Sequence, residues 1–340
     1  MRPAAWCALA AAGVLLAAAQ LGGEAGAQAA LSKLARSPGF LSCITALEFG
    51  VRADAAEVYV PRAAAAARDE DAAEPQSESV YVPSAPENTA PVLSAPDKAA
   101  TLTINNDTDY DVDVAACLAS DTHILAEGDG PQVLVFHTHA SESYTPDAAF
   151  PYTPTETERT TDTRYNVVRV GDELCTALEK RGIETLHIRS LFDTPTYAGS
   201  YDRSLAAIEQ ALEENPSVKV VIDLHRDSIL TDEGEAYKTS CTVDGAETAQ
   251  LMFVVGTDAG GLYHPDWRDN LNFVSTLQYA LNRAYPSLMR PVNLRTQRFD
   301  QHASPGSLLV EVGSSGNTLP EALSAVRLFA DVLADEMTGM

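Results

Sequence analysis

From Thr101 onward the chain alternates short apolar runs with longer stretches whose apolar residues recur every three or four positions. The short runs are "QVLVF" (132–136), "ETLHI" (184–188), "VKVVIDLH" (218–225), "AQLMFVVGTD" (249–258) and "GSLLVEVG" (306–313). Continuous rather than alternating apolarity marks strands covered on both faces, as in parallel sheets. The long stretches predict helices. "NVVRVGDELCTALEKRGI" sets Val167, Val170, Leu174 and Leu178 on one face and stops at Gly182, and "SYDRSLAAIEQALEENP" stops at Pro216. "NLNFVSTLQYALNRAYP" and "PEALSAVRLFADVLADEM" follow the same period. "TLTINNDTDYDVDV", with Asn105 and Asn106 as turn residues, predicts a hairpin or two short strands. Strands alternating with helices of this length predict an α/β fold: a mostly parallel sheet with helices on both faces.

The first hundred residues have a different texture. Pro3–Leu21 carries no charge and follows Arg2; its length is close to the roughly 20 residues of a membrane-spanning helix. Ala25-Gly26-Ala27 supplies a small-x-small cleavage pattern. The segment therefore predicts either a membrane anchor or a cleaved signal, and both export the rest of the chain. Residues 28–100 are rich in Ala, Pro, Glu and Ser, with "VYVP" at 58–61 and again at 80–83. Such sequence buries too little apolar area to offset ordering entropy. The predicted organisation is thus 1–27 leader, 28–100 disordered linker, and 101–340 a single catalytic domain. A flexible linker of this length reaches on the order of 50 Å.

Composition narrows the partners. The 340 residues include 23 Lys and Arg against 48 Asp and Glu, a formal net charge of −25. This argues against nucleic acid, which needs clustered basic residues. The five cysteines, at positions 7, 43, 117, 175 and 241, form neither a C-x-x-C pair nor a disulfide framework.

The chemistry lies where strands end. In open α/β sheets, ligands sit outside the carboxyl ends of the strands. "VLVF" runs into His137 and His139, "VVIDL" into His225, Arg226 and Asp227, and "SLLVEVG" carries Glu311. A lone histidine at a strand end is usually a hydrogen-bonded structural residue, and His123 and His187 are read so, as are His264 and His302, although both of these lie in loops that could rim the site. Several converging ends are less easily coincidental. His139 and Glu142 form H-x-x-E, and His225 completes a His₂Glu set of the kind that holds catalytic zinc. His137 is close enough in the chain to replace His139. Glu311, flanked by Val310 and Val312, is costly to bury charged and is the candidate base; its structural alternative is an ion pair with Arg226 or Arg295. Arg226 is a candidate oxyanion or carboxylate clamp, and Asp227 a candidate partner fixing a ligand histidine. Ser314 to Asn317, "SSGN", either contacts substrate amides through Ser314 and Asn317 or turns the chain into the last helix.

"HTHASESYTP", "YNVVRVGDELCTALEKRGIETLH", "SYDRSLAAIEQAL", "VVIDLHRDS", "QHASPGSLLVEVGSSGNT" and the apolar leader together resemble the stage II sporulation protein P family. The resemblance implies a zinc-dependent N-acetylmuramoyl-L-alanine amidase, also described as a peptidoglycan endopeptidase. It implies a role in septal wall thinning and forespore engulfment during sporulation, and a membrane tether with the catalytic domain outside the cytoplasm. It also implies a transglycosylase and a multi-pass membrane protein as partners, and a fold similar to zinc amidases and zinc carboxypeptidases. Carried onto this chain, it places Zn2+ on His139, Glu142 and His225 and the base at Glu311. The D-P-G-H loop of ordinary zinc amidases is missing. Two other readings stay open: a zinc carboxypeptidase or endopeptidase on stem peptides, with Arg290 or Arg295 as carboxylate socket, and a non-catalytic wall-binding scaffold.

Overall fold

The structure is a computed structural model and describes residues 102–120, 122–155, 158–231 and 234–339. The leader and the linker expected over 1–100 lie outside the described residues. The chain divides into two units; of the one formed by Met1–Glu74 and Ala259–Leu262 only the short 259–262 loop is described. The other, Pro75–Asp258 with Tyr263–Met340, carries every element named below. Among the described residues no helix is long and apolar enough to cross a membrane.

The strands and helices of the described residues follow the order of the sequence pattern. They are β1 (Ile104–Asn106), α1 (Val114–Ala119), β2 (Val133–Phe136), α2 (Val167–Lys180), β3 (Thr185–His187), α3 (Ser200–Glu214) and β4 (Val220–Asp227). Then come β5 (Ser240–Val243), β6 (Ala246–Ala249), β7 (Leu251–Val255), α4 (Trp267–Ala284), β8 (Val292–Leu294), β9 (Ser307–Ser314) and α5 (Leu319–Thr338), with a 3-10 turn at Gln301–Ala303 before β9. Seven strands form one sheet in the order β1-β8-β7-β9-β4-β2-β3. All neighbours are parallel except β7 with β9, so the sheet is mostly parallel, as the continuous apolar runs predict.

Alternation along each strand sorts the two faces. Val133, Val135, Val220, Ile222, Leu224, Leu308, Val310 and Val312 belong to the large core that α2, α4 and α5 cover. Leu134, Phe136 and Val221 pack instead with Ile208 and Ala211 of α3. Asp223 and His225 on β4 and Glu311 on β9 fall in this second phase, on the α3 side. The strands thus aim apolar residues at one core and, near their carboxyl ends, polar residues at the other face.

Local signals explain most element ends. Asn166 caps α2 by accepting from Val168 N at 3.0 Å, and Gly182, at φ +82°, supplies the left-handed residue that ends it. Thr318 and Glu321 form a capping box at the start of α5. The expected hairpin around Asn105–Asn106 is not there. One strand, β1, pairs in parallel with β8 at the sheet edge, and Asp113 then caps α1 by accepting from Ala115 N and Ala116 N. The real hairpin is β5–β6, turning at Asp244-Gly245 with both φ positive (+50° and +80°).

The start of β9 approaches β4 closely enough that a Cβ on Gly306 would overlap the Lys219 carbonyl. Gly306→Ala is expected to lower unfolding stability by about 2 kcal/mol, as overpacking against backbone does. Urea denaturation measures this; wild-type stability would contradict the close approach.

Candidate active site

Three parallel strands deliver the polar cluster. In the β4–β9 register His225 lies opposite Glu311, which puts both side chains on the α3 face. The chain leaving β2 turns over their ends, and Asp223 holds that turn: Thr138 N donates to Oδ1 at 2.9 Å and Thr138 Oγ1 to Oδ2 at 2.8 Å. This brings His139 and Glu142 to β4. The imidazole of His225 sits between two carboxylates, with Nε2 at 2.8 Å from Asp223 Oδ1 and Nδ1 at 3.3 Å from Glu142 Oε2. The first contact is short but misaligned, so Nε2 has no hydrogen bond in spite of its burial. The rings of His139 and His225 cross edge to face, 5.2 Å between centroids.

Electrostatics follow from burial and these neighbours. Burial by itself would lower the His225 pKa, but Asp223 and Glu142 together raise it well above the usual histidine range. Burial would raise Glu142, yet His225, with Arg226 and Arg159, pulls it well below the usual carboxylate range. Both directions describe one buried ion pair. His139 is lowered, chiefly by burial, and is neutral. Glu311 is pushed up to about 8 by burial, with repulsion from Asp227 and Glu142 outweighing attraction to His225 and Arg290. Its Oε2 is buried without a hydrogen-bond partner. Neither Arg226 nor Arg295 pairs with it among the described residues: Arg295 holds Asp107 at 2.9 Å, and Arg226 Nε donates to Ser143 O at 3.0 Å.

Other expected residues land elsewhere. Arg226 is 3% exposed; its guanidinium also donates to Glu158 O at 3.1 Å, and its backbone N–H to Glu142 Oε2 at 3.3 Å. It ties the 142–158 segment to β4. Asp227 pairs with Arg290 at 2.7 Å, and the carboxylate beside His225 is Asp223 instead. Ser314 and Asn317, expected either as substrate contacts or as a turn into the last helix, are fully buried with their hydrogen bonds turned inward. Asn317 Oδ1 accepts from Ser314 N at 2.9 Å and Thr239 N at 3.2 Å, and Nδ2 donates to Thr239 O and Glu321 Oε2. His137 is also fully buried: Nδ1 lies 2.7 Å from Leu224 O, and Nε2 lies 2.9 Å from His187 Nε2. A Cβ on Gly171 would meet both rings at 2.7 Å.

Sequence reasoning missed Asp223, Arg159, Asp193 and Tyr197. Strand alternation pointed to Asp223, two residues before His225. The other three come from loops with no periodic signal. Arg159 reaches Glu142 at 3.5 Å and Asp193 at 3.2 Å. Tyr197 stacks on His139 with its Oη 2.7 Å from Nε2, while Ser200 Oγ lies 3.4 Å from Nδ1.

Imidazole and carboxylate are the donor types that hold zinc. Two imidazoles and a carboxylate meet at a place where the chain already stabilises a buried positive charge, the protonated His225, between two carboxylates. The donors are not yet gathered about one point: among the described residues no group of three or more His, Cys, Asp or Glu is arranged to hold a metal ion.

Comparison with known proteins was decided by the family model of stage II sporulation protein P (SpoIIP), which matches residues 54–334. The chain belongs to the stage II sporulation protein P family. The match begins within the linker, upstream of the domain boundary expected at residue 101. Stage II sporulation protein P of Bacillus subtilis (strain 168) is 30% identical over 219 residues, 61% of this chain and 51% of that protein. The chain thus spans about half the length of that relative. Among solved structures, the N-acetylmuramoyl-L-alanine amidase AmiC2 of Nostoc punctiforme is 12% identical with a TM-score of 0.34, covering 62% of this chain and 98% of that one. The CwlD amidase from Clostridioides difficile, solved with the GerS lipoprotein, is 13% identical with a TM-score of 0.37, covering 61% and 97%. The catalytic domain of CwlV from Bacillus (Paenibacillus) polymyxa var. colistinus is 11% identical with a TM-score of 0.36, covering 61% and 97%. Superpositions this loose transfer no residue roles to the SpoIIP chain.

Two outcomes are expected. Asn317→Ala leaves buried backbone donors of β9 and Thr239 unsatisfied and should cost about 2–4 kcal/mol of stability; wild-type denaturation with weakened substrate binding would restore a substrate-contact role. Asp300, which accepts from Ser204 Oγ at 2.6 Å, is pushed from the ordinary 3.8 up to about 8, chiefly by burial. The folded chain therefore keeps a proton that the unfolded chain releases, and this contribution is full below about pH 4 and lost as pH rises towards 8. The stability advantage of Asp300→Asn over the wild type should grow across that window by on the order of 1 kcal/mol per pH unit. A pH-independent difference, read by denaturation at pH 5 and pH 8, would contradict it.

Proposed function

We propose that this SpoIIP protein is a zinc-dependent peptidoglycan hydrolase of sporulation that cleaves the amide between N-acetylmuramic acid and the stem peptide. The observation that carries this reading is the strand-end cluster itself. His139, Glu142 and His225 meet at one rim, and Glu311, a buried carboxyl with one oxygen unpartnered, sits in register beside His225. His139, Glu142 and His225 would hold the metal. When bound, it supplies a Lewis acid and an acidified water. Glu311 would take a proton from the attacking water and pass it to the leaving amine. Burial, with Asp227 nearby, raises Glu311 to about 8, and a nearby dication would favour its ionised, proton-accepting form. Asp223 balances the charge at His225. The Arg226 backbone N–H and Arg159 orient Glu142. Family membership supports the sporulation setting, a wall substrate, and a membrane tether through the apolar 3–21 segment, which lies outside the described residues; the transglycosylase and multi-pass membrane partners belong to the same proposal.

The carboxypeptidase reading loses its socket. Arg290 and Arg295 are each paired to an acid, Asp227 and Asp107. A terminal-carboxylate clamp next to the metal would need one of them released.

Digestion of purified walls by the full chain, with products resolved, tests the proposal. Intact stem peptides freed from muramic acid are expected, with release lost on chelation and restored by zinc. Loss of a terminal amino acid alone, or digestion indifferent to chelator, would overturn it. Glu311→Gln should keep zinc and fold while losing at least about 100-fold in turnover. A zinc-loaded, fully active variant would remove Glu311 from the chemistry.

A further inference from the structure

A second polar cluster lies outside the strand-end site. His264, in the loop before α4, is 1% exposed, yet neither of its ring nitrogens has a hydrogen-bond partner. His302, in the 3-10 turn before β9, places its ring 6.3 Å away, with Nδ1 buried and unpartnered. Arg298 donates from Nη1 to Tyr263 O at 3.3 Å, while its Nε is buried and unpartnered. Among the described residues no carboxylate lies within ion-pair distance of Arg298. In a chain with 48 acidic and 23 basic residues, a partly buried guanidinium close to two imidazoles and bonded to no acid is unusual. Buried polar atoms are nearly always hydrogen-bonded, so several orphans in one place mark a missing partner.

The chemistry of the cluster selects that partner. Burial, with Arg298 beside them, lowers both imidazoles to about 4, so they are neutral and each offers one N–H. A cation is disfavoured by the guanidinium, and the cluster offers no third metal donor. Asp300, Asp202 and Glu209 attract the guanidinium through space, but none forms an ion pair with it, so its fork still lacks a carboxylate acceptor. A carboxylate satisfies the set, since it is acceptor-only and matches the planar fork of arginine. Phe299, next in the chain, is held at φ +52°, a region that bulky residues avoid and that recurs at ligand clamps.

We propose that Arg298, His264 and His302 form a carboxylate-binding subsite for the peptide whose amide bond is cut at His139, Glu142 and His225. The identity of the ligand rests on the function proposed above; the preference for a carboxylate rests on this cluster alone. Ring contacts run from the residue beside Arg298 to the strand-end site. The Phe299 ring is 6.0 Å from Tyr201, and Tyr201 is 5.5 Å from His139. Four extended residues reach about 13 Å. Arg298 and His302 are partly exposed, His264 is buried, and Tyr263 is 77% exposed.

Calorimetric titration of the metal-free full chain tests this, using a muramoyl tetrapeptide with free carboxylates and the same peptide with every carboxylate amidated. The wild type should bind the free acid at least about tenfold more tightly, the scale of one charge-assisted bidentate contact. Arg298→Gln should abolish the preference and His302→Gln should reduce it. Arg298→Lys keeps the charge without the fork and serves if the Gln variant does not fold; it should lose most of the preference. Equal binding of both peptides by the wild type, or an undiminished preference in a folded Arg298 variant, would overturn the subsite. Because binding is read without turnover, a peptide that binds by its carboxylate but is never cut with zinc present refutes the hydrolase and not the subsite. A peptide cut without regard to amidation refutes the subsite and not the hydrolase.

Discussion

The candidate centre depends on a protonated imidazole buried between two carboxylates. His225 lies 2.8 Å from Asp223 and 3.3 Å from Glu142, under the ends of three parallel strands. Each of these charges would be costly alone in such a place, and each is tolerated because the others are there. Asp223 also accepts from the backbone and hydroxyl of Thr138, so the group that balances His225 fixes the turn carrying His139 and Glu142. Removing that carboxylate would loosen the turn and unbalance the histidine together. A buried cation between carboxylates is also the electrostatic setting that a divalent ion needs.

The surrounding shell shows how the fold separates support from chemistry. The β4 strand carries Asp223 and His225 towards α3, and Val220, Ile222 and Leu224 into the opposite core. Arg226, Ser314 and Asn317 spend their polar atoms on backbone carbonyls and amides and lock the segments around the site. His137 is packed beneath it, between Leu224 O and His187. Glu311 has a different surrounding: it shares the face with His225, and one of its oxygens is left without a bond.

Much of this was legible in the sequence, and the exceptions have physical causes. Apolar runs and helical periods located the central strands and the long helices, because burial on both sides of a parallel sheet leaves little freedom in composition. Strand ends located His139, His225 and Glu311. The short β8 escaped, since three residues carry no period, and of the hairpin or two short strands expected over 101–114 only β1 formed, with α1 after it. The β5–β6 hairpin had a readable Asp-Gly turn but weak flanking alternation. Ser314 and Asn317 looked like a surface loop because polar residues ordinarily are; here they are buried and saturated by neighbours from Thr239 and Glu321, brought to them by the fold. Arg159, Tyr197 and Asp193 reach the site from loops whose path is set by tertiary contacts.

The proposed function depends most on His139, Glu142 and His225, which would together hold one metal ion once His225 gives up its proton. X-ray absorption at the zinc edge, on the full chain loaded with one equivalent of zinc, tests it most directly. The account expects nitrogen and oxygen ligands only, with the multiple-scattering signature of two imidazoles. A sulfur ligand, a spectrum without imidazole, or zinc that stays in solution would contradict it.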